Sequence, residues 1–509
     1  MTSHVAVAVR DLAFSFSGAA SPLFSHITVH FPRGFTGIVG ANGAGKTTLL
    51  RLLAAQLNPS AGVIEGAGDA VYCEQRTDSA PATFNDFLED WGSDAFELRG
   101  RLAIEQDFAA RWNSLSHGER KRAQIAHALW QEPALLALDE PTNHIDAEAR
   151  DLLVANLRRF RGVGLIVSHD RELLDEICSQ CLWLEPPGGT LFSGGFSQAQ
   201  EQKMAVHEAA AQTRSKARRE DRKLQHELAR RRDDAAQEHR RRSKRGLSVK
   251  DSDAREKINR ARVSDGKAGN QLRQLGGRAA QAQRRLHGSG VDKQYASGIW
   301  LPGSTSARKS LLALPEGELS LGAQRCLSFP QLLMKPDDRI AISGKNGAGK
   351  TLLLEHVLNQ MTTPLDKIVL MPQEISAAAA SELLDQARSL QGDQLGHLMT
   401  VVSRLGSRPD RLLQSPQPSP GEIRKLLLAM GMARSPHLIV LDEPTNHLDL
   451  PSIEALETAL AECPCALLIV SHDERFVDAL ATLRWQIDVD DQGNSALSLS
   501  ACSINQRYT

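Results

Sequence analysis

Short apolar runs that alternate with helical patterns predict an α/β fold at both ends of the chain. Apolar runs of this length, bounded by polar residues, are typical of buried parallel strands. They read LLALD at 135–139 and GLIVSH at 164–169, then LIVLD at 438–442 and LLIVSH at 467–472. Helical patterns follow the strand-like segments, for example TTLLRLLAAQL at 47–57. Both halves therefore favour a parallel sheet covered by helices.

The same segments occur twice, so the chain contains one module in two copies. GANGAGKT at 40–47 returns as GKNGAGKT at 344–351, and LDEPTNHID at 138–146 returns as LDEPTNHLD at 441–449. The distance from Asp139 to His169 equals that from Asp442 to His472, 30 residues in each copy. A repeat this long indicates tandem domains. We place them at 1–197 and 301–509, with a linker at 198–300.

The linker has the composition of a long helix. Residues 196–245 contain no Gly and no Pro, and good helix formers dominate. Because such a helix has few apolar positions, it needs a partner, and residues 254–286 are expected to return antiparallel to it. Gly266, Gly269, Gly276 and Gly277 weaken that return helix. The segment 245–270 is the candidate exposed tip of this hairpin.

The charge of the chain is divided between the linker and the rest. The formal net charge is -1, from 60 Lys and Arg against 61 Asp and Glu. Residues 201–290 alone hold 25 basic against 12 acidic residues, an excess of +13, which leaves -14 elsewhere. A solvated helical face is one explanation of such a charge run. Clustering at Arg240–Arg242, Lys244 and Arg245 favours the other, a contact with a phosphate backbone.

Length and composition exclude several classes of protein. The 509 residues allow about three domains, and 41% hydrophobic with 24% charged residues is ordinary for a globular protein. The longest apolar stretches are far shorter than a membrane span, and the amino terminus lacks the pattern of a secretory signal. Seven scattered cysteines argue against a disulfide framework. We therefore expect a cytoplasmic protein without a membrane segment.

Two glycine-rich segments predict phosphate-binding loops. Each follows an apolar strand and precedes a helix, which is the context that a P-loop requires. The glycines let backbone N–H groups converge on phosphate oxygens at the start of a helix. Lys46 and Lys350 are expected to neutralise the β- and γ-phosphates, while the hydroxyls of Thr47 and Thr351 bind Mg²⁺.

Acidic residues and histidines at the ends of the predicted strands complete the candidate chemistry. Asp139 and Asp442 lie at the carboxyl edge of a parallel sheet, where ligands bind, and suit Mg²⁺. The neighbouring Glu140 and Glu443 are candidates to orient and deprotonate water. His169 and His472 are candidates to contact the γ-phosphate. A histidine at a strand end is usually structural, but two at identical offsets favour a function.

These motifs resemble a known family. LDEPTNHxD, together with LSHGE at 115–119, Gln75 and Gln373, is similar to the nucleotide-binding domains of ATP-binding cassette proteins. Two cassettes on one chain, joined by a basic helical linker, resemble the ABC-F family, whose members act on ribosomes. The resemblance implies a monomer whose cassettes stack head to tail around two ATP molecules. Gln75 and Gln373 then join the Mg²⁺ ligands.

The resemblance also pairs each P-loop with the signature loop of the other copy. Lys46 would face Ser419 and Gly421, and Lys350 would face Ser116 and Gly118. The residues expected to bind ATP are Phe16, Gly40, Ala41, Asn42, Gly43, Ala44, Gly45, Lys46, Thr47, Thr48, Ser116, Gly118, Gly344, Lys345, Asn346, Gly347, Ala348, Gly349, Lys350, Thr351, Leu352, Ser419 and Gly421. Phe16 is the candidate for adenine stacking, and the second site has no convincing counterpart.

The chain departs from the family pattern in its signature loops. The usual Leu-Ser-Gly-Gly has His117 at its third position in the first copy, and the second copy reads Pro418-Ser419-Pro420-Gly421. Because Pro420 has no N–H, the site built on Lys46 loses one phosphate donor. We expect that site to bind ATP differently or to hydrolyse it more slowly.

A nonenzymatic scaffold or a DNA-repair ATPase is disfavoured, because both copies keep their Lys, Asp, Glu and His residues and the linker is too short for a long coiled coil. Two functions from different classes remain. The first is an ATPase that acts on the ribosome, as a translation factor or as an antibiotic-resistance protein, with the linker aimed at ribosomal RNA or tRNA. The second is the ATPase subunit of a transporter whose membrane domains are separate chains. The linker discriminates between them, because a transporter ATPase has no need for a helical spacer with an excess charge of +13.

Overall fold

The computed structural model describes residues 6–18, 21–66, 68–143, 145, 147–241, 273–284, 303–322, 325–405, 407, 412, 415, 418–446, 448–490 and 492–502. For residues 147, 235–241 and 404 it describes the backbone alone. The chain divides into two compact units, residues 1–199 together with 295–509, and residues 200–294. The described residues before 200 are called the first cassette below, and those after 302 the second cassette.

The first cassette contains an antiparallel and a mainly parallel sheet. The antiparallel sheet has the order β2-β1-β4 and consists of β1 (Val7–Phe14), β2 (Phe24–Phe31) and β4 (Ala61–Glu65). The second sheet has the order β5-β6-β7-β3-β8-β9, with strands β3 (Gly34–Gly40), β5 (Ala70–Cys73), β6 (Leu135–Asp139), β7 (Val163–Val167), β8 (Cys178–Glu185) and β9 (Gly188–Ser193). β9 alone of the six runs antiparallel to its neighbour. β6 and β7 are buried along their whole length, as the apolar runs predict.

Helices cover the parallel sheet and form a lobe beside it. The helices are α1 (Lys46–Leu53), α2 (Phe84–Glu89), α3 (Ser93–Arg101), α4 (His117–Trp130), α5 (Ala147–Leu157) and α6 (Arg171–Ile177), with a 3₁₀ turn at Trp112–Ser114. The lobe of α2, α3 and the start of α4 has its own aromatic core around Phe84, Phe87 and Trp112. This core fills the short span between Gln75 and Ser116.

The long polar helix is confirmed as α7 (Phe196–Arg241). Residues 273–284 form helix α8. Leu224 is buried against Ala279 and Ala282, whereas Leu228, further along α7, approaches Gly276. Since the contacts run in opposite directions along the two helices, α7 and α8 pack antiparallel in this region. The proposed tip, 245–270, and the remainder of the return segment lie outside the described residues.

The second cassette repeats the first with a larger sheet. Its eight-stranded sheet has the order β11-β12-β19-β18-β14-β17-β16-β15, and β10 pairs with β13. The strands are β10 (Leu312–Leu314), β11 (Gly317–Gly322), β12 (Arg325–Phe329), β13 (Leu332–Met334), β14 (Arg339–Gly344), β15 (Ile368–Met371), β16 (Leu438–Asp442), β17 (Ala466–Val470), β18 (Leu483–Val489) and β19 (Ser495–Ala501). The helices are α9 (Lys350–Asn359), α10 (Ala377–Ser389), α11 (Gly392–Arg404), α12 (Pro420–Met432), α13 (Leu450–Ala461) and α14 (Glu474–Leu480), with a 3₁₀ turn at Leu365–Lys367. The predicted tandem α/β fold is therefore confirmed.

The two cassettes share one apolar core and several ion pairs. The largest cluster of buried side chains includes Leu173 of the first cassette and Phe476 of the second. Helix α13 of the second cassette also lies against β3 of the first. Arg171 forms a buried ion pair with Glu457, and Arg475 forms a partly exposed one with Asp175. Among the described helices, none combines the length and the apolar character that crossing a bilayer demands.

Candidate functional site

Both P-loops lie between a buried strand and a helix. In the first cassette the loop joins β3 to α1, and Gly43 and Gly45 have φ values of 78° and 90°. A Cβ on Gly45 would lie 2.6 Å from the ring of Phe24, so that position requires glycine for two reasons. Gly347 and Gly349 take the corresponding conformation before α9. Each loop therefore brings backbone N–H groups to a helix N-terminus, which is the arrangement that holds a phosphate.

The two P-loop lysines fold back across their own loops. The Nζ of Lys46 donates to the carbonyl of Gly40 at 2.8 Å, and the Nζ of Lys350 donates to that of Gly344 at 2.7 Å. Burial lowers the pKa of Lys46, and the carboxylates of Glu140, Asp449 and Asp139 oppose that shift. These carboxylates favour the charged form of the lysine where the sequence predicts phosphate binding.

The first Mg²⁺ candidate pair is in direct contact. The hydroxyl of Thr47 donates to Asp139 Oδ2 at 2.7 Å, and the hydroxyl of Tyr72 donates to the same oxygen at 3.0 Å. Burial raises the pKa of Asp139, and the Thr47 hydrogen bond opposes the shift. In the second cassette Thr351 and Asp442 line the same cleft. A hydroxyl and a carboxylate are oxygen donors that Mg²⁺ accepts, so these residues fit the predicted metal.

The candidate water-activating glutamates occupy strained positions. Glu140 and Glu443 have φ values of 48° and 47°, in the left-handed region that non-glycine residues rarely adopt. The N–H of each bonds to the end of the neighbouring strand, at Val167 and Val470, with a distance of 2.8 Å in both. Strain of this kind concentrates at functional sites, and here it occurs at both copies of the residue.

A histidine contacts each of these glutamates. His169 Nε2 lies 3.0 Å from Glu140 Oε1, and its backbone N–H donates to the other carboxylate oxygen. His472 Nε2 lies 3.5 Å from Glu443 Oε1 and 3.2 Å from the Nζ of Lys350. Burial raises the pKa of Glu443 to about 7, although the charge of Lys350 acts in the opposite direction. The histidine, glutamate and lysine predicted from separate motifs therefore meet at one point in the second cassette.

A cleft of 1040 Å³ joins the two cassettes at the second P-loop. The second cassette contributes the segment Ser343–Leu352 without Ala348, together with Gln373, Asp442, Glu443 and His472. The first cassette contributes nine lining residues: Thr142, Asn143, Ile145, Glu148, Arg150, Asp151, His169, Asp170 and Glu172. Lys345 bridges the two sides through an ion pair with Glu148 at 2.6 Å. A ligand held by this P-loop would therefore touch both cassettes.

The signature loops cap helices α4 and α12. Ser116 accepts from the N–H of Glu119, whose side chain accepts from the N–H of Ser116, and Ser419 and Glu422 form the same capping box. Pro420 occupies the first turn of α12, where a missing N–H breaks no helical hydrogen bond. Ser116 and Gly118 are not among the residues that line the cleft around Lys350, although Gly118 lies beside Ile145, which lines it. The pairing of each P-loop with the opposite signature loop stays a prediction.

The remaining predicted residues take varied positions. Phe16 is 53% exposed and packs edge-on against Phe14, which leaves one face for a ligand. Gln373 lines the cleft and Gln75 is exposed. Asn346 Oδ1 lies 3.1 Å from His472 Nε2. Ala44 and Ala348 are buried beneath their loops, and Thr48 and Leu352 lie in the first turns of α1 and α9.

Sequence reasoning missed two residues of the first site. Tyr72 binds Asp139 from a neighbouring strand, and no motif points to it. Asp449 Oδ2 accepts from the backbone N–H of Asn42 at 2.6 Å, so a carboxylate of the second cassette lies on the first P-loop. One N–H of this loop therefore already donates to an anionic group. The repeated motif that ends at Asp449 was the signal that could have found it.

The sheet order, the paired P-loops and the acidic strand ends define a protein with two ATP-binding cassettes. The family model for "ABC transporter" matches residues 24–143 and 327–446, one match in each cassette. The two domains are therefore nucleotide-binding domains of that superfamily. Within it, the homologues of this chain are ABC-F proteins, and two cassettes on a single chain support that family.

Several relatives align with almost the whole chain. The ATP-binding protein Uup of Caulobacter vibrioides is 29% identical over 95% of this chain and 77% of its own length. The ribosome protection protein VmlR of Bacillus subtilis is 27% identical over 90% of this chain and 82% of its own. The energy-dependent translational throttle protein EttA of Mycobacterium tuberculosis is 27% identical over 92% and 90%, respectively.

Solved structures share the fold. The archaeal ribosome recycling factor aABCE1, crystallised with the ribosomal stalk protein aP1, superposes with a TM-score of 0.62 at 18% identity. That superposition covers 96% of this chain and 89% of the other. At this level of identity the likeness concerns the fold alone.

Proposed function

We propose that this chain is an ATPase that acts on the ribosome, with closure of its two cassettes driven by ATP and a basic helical linker directed at RNA. The observation that carries the proposal is the cleft at the second P-loop, which is lined by both cassettes. A nucleotide bound there has a higher affinity for the closed arrangement than for an open one, because only closure supplies both walls. This difference in affinity is what a nucleotide-driven switch requires.

The chain's own residues can carry out the hydrolytic step. The P-loop N–H groups, with Lys46 or Lys350, hold the phosphates. Thr47 with Asp139, or Thr351 with Asp442, would hold Mg²⁺, which would neutralise part of the phosphate charge. Glu140 or Glu443 orients a water molecule and takes its proton at a carboxylate oxygen. The histidine beside each glutamate fixes that carboxylate and presents its ring to the phosphate. Both sites contain this set, so we propose that both hydrolyse ATP.

The linker supports the choice of partner. In the described part of α7, Arg218, Arg219 and Arg222 are exposed along one stretch of helix. Arginine binds phosphate groups through paired N–H donors, and an exposed basic helix recognises RNA through its backbone charge. Relatives named for translational throttling and for ribosome protection agree with a ribosomal partner. The proposal includes both a role as a translation factor and a role in ribosome protection. It assigns contacts with rRNA or tRNA to the linker.

The test is binding of the full chain to ribosomes. Changing Glu140 and Glu443 together to Gln stops hydrolysis without removing the phosphate-binding loops, so the closed state accumulates. With ATP present, this double variant is expected to co-sediment with ribosomes several-fold more than the wild type. Equal pelleting of the two proteins contradicts the proposal, and recovery of both in the membrane fraction supports the transporter alternative.

A second variant tests the linker separately. In the double variant, Arg218, Arg219 and Arg222 are changed to Gln, and the matched control changes Gln212, Gln225 and Gln237 to Ala in the same helix. Loss of phosphate contacts is expected to reduce pelleting and to flatten its dependence on salt, because each contact releases counterions. The control should pellet like its parent. If the arginine variant also does so, this stretch of the linker does not bind RNA.

A further inference from the structure

A buried cation on each signature helix lies at the same place in both cassettes. Lys121 of α4 and Arg424 of α12 are the fifth residues after Ser116 and Ser419. The two side chains are 0% and 2% exposed, respectively. Cations are rarely buried to this extent unless their donors are satisfied. Both copies of the module therefore bury a cation at this position, although burying a charge is unfavourable and the residue type differs.

Each cation is bound by backbone carbonyls of the loops that carry the candidate chemistry. Lys121 Nζ donates to the carbonyl of Glu74 at 2.6 Å and to that of Asp139 at 3.3 Å. These carbonyls belong to the residues immediately before Gln75 and Glu140. One ammonium group therefore connects three segments: the signature helix, the glutamine loop and the strand that ends at the water-activating glutamate.

Arg424 makes the equivalent connections with a different geometry. Its guanidinium donates to the carbonyl of Glu443 at 2.8 Å and to that of Asn446 at 3.0 Å. It also donates to the carbonyl of Gln373. The same three segments are joined in the second cassette, and the longer, forked side chain reaches one residue further along each loop.

We infer that Lys121 and Arg424 are positioning residues that hold the glutamine loop and the glutamate-bearing strand end against the signature helix. Neither side chain touches the P-loop that holds the phosphates. The inference rests on the proposed function, since it assigns the two cations an effect on the hydrolytic step rather than on nucleotide affinity. Burial lowers the pKa of Lys121, and the neighbouring Cys73, Asp139 and Glu140 oppose that shift.

Hydrogen exchange tests the inference without relying on activity. In the full chain, Lys121→Met keeps the length of the side chain and removes its donors. Backbone amides at residues 74–78 and 140–143 are expected to exchange at least threefold faster than in the wild type. The matched control is Arg122→Met, because Arg122 is the next residue of the same helix and donates instead to the carbonyl of Leu102. Equal exchange in the two variants overturns the inference.

Kinetics separate positioning from a purely structural role. In a Glu443→Gln background, which isolates the first site, Lys121→Met is expected to lower the single-turnover rate about tenfold, with the Kd for ATP changed less than about threefold. Lys121→Arg, which copies the second cassette, should restore the rate to within about threefold of its parent. A parallel fall of rate, affinity and melting temperature, or no rescue by Arg, contradicts positioning.

Misfolding of a variant and a lack of ATPase activity lead to different conclusions. If Lys121→Met does not fold, Lys121→Gln replaces it, and Arg424→Met with Arg424→Lys repeats the comparison in a Glu140→Gln background. If the wild type does not hydrolyse ATP even with ribosomes, the proposed function fails. The exchange measurement then still decides whether the two cations hold the loops.

Discussion

At the residue scale, the chemistry of this protein is concentrated where strands end. Asp139 and Glu140 were identified from an apolar run followed by two acids, and the structure places them beside Thr47 and His169. These side chains come together because the carboxyl ends of parallel strands meet at one sheet edge. Tyr72 was not identified, because its contact with Asp139 depends on which strands are neighbours.

The raised pKa of Glu443 predicts that the rate of ATP hydrolysis at the second site depends on pH. Its carboxyl group must be ionised to accept a proton from water, and burial raises its pKa to about 7. In a Glu140→Gln variant, where only the second site acts, the single-turnover rate is expected to fall about tenfold per pH unit below 7 and to level off above it. A rate that is constant between pH 6 and pH 8 would contradict this role. ATP binding by the Glu140→Gln, Glu443→Gln variant serves as the control.

The same shift has the opposite effect on folding stability. The pKa of Glu443 in the folded chain exceeds its ordinary value of 4.5, so the folded state binds more protons than the unfolded state between these pH values. Its contribution to stability is therefore present below pH 4.5 and is lost as pH rises to about 7. As pH rises, the rate of hydrolysis is therefore expected to increase while this contribution to the free energy of unfolding decreases.

At the element scale, composition predicted the long helix but not its contacts. A stretch without Gly or Pro was sufficient to predict α7, because local propensity decides an exposed helix. Gly276 was expected only to weaken the returning helix. In the structure it faces Leu228, and a Cβ added at this position would lie 3.9 Å from that leucine, at ordinary van der Waals distance.

Leu228 is expected to contribute to the packing of α7 against α8. It is 7% exposed, so Leu228→Ala leaves a gap that should destabilise the helix pair by about 2 kcal/mol. Faster hydrogen exchange at residues 273–284 would report this loss. Met204→Ala is the control, since Met204 is 65% exposed on the same helix. Equal exchange in both variants would show that Leu228 does not hold α8.

At the scale of the whole molecule, buried charges join the two cassettes. Arg171 donates to both carboxylate oxygens of Glu457 and also binds Asp473, and it is only 8% exposed. A buried bidentate hydrogen bond between arginine and a carboxylate requires a specific geometry, so it fixes how the cassettes pack against each other. A bonding pattern that links residues 286 positions apart is not visible in a sequence.

Loss of this ion pair is expected to destabilise the paired cassettes. Arg171→Met leaves Glu457 buried without its partner, which should cost about 3 kcal/mol in urea unfolding followed by tryptophan fluorescence. Glu148→Gln breaks a different ion pair between the cassettes, with Lys345, but both side chains are more than 60% exposed. That control should change stability by less than about 1 kcal/mol. A similar effect of both variants would rule out a special role for Arg171.

The amino-acid sequence was sufficient to predict the α/β class, the two copies and the long helix of the linker, and it supplied the candidate residues of both sites. These depend on local properties: apolar runs, glycine-rich loops, helix propensity and the positions of acids after strands. Tertiary structure alone decided which residues from different copies meet, such as Asp449 with Asn42, and which buried cations join separate loops. The physical reason is that these contacts form between segments far apart in the chain, so their geometry follows from how sheets and cassettes pack rather than from any local pattern.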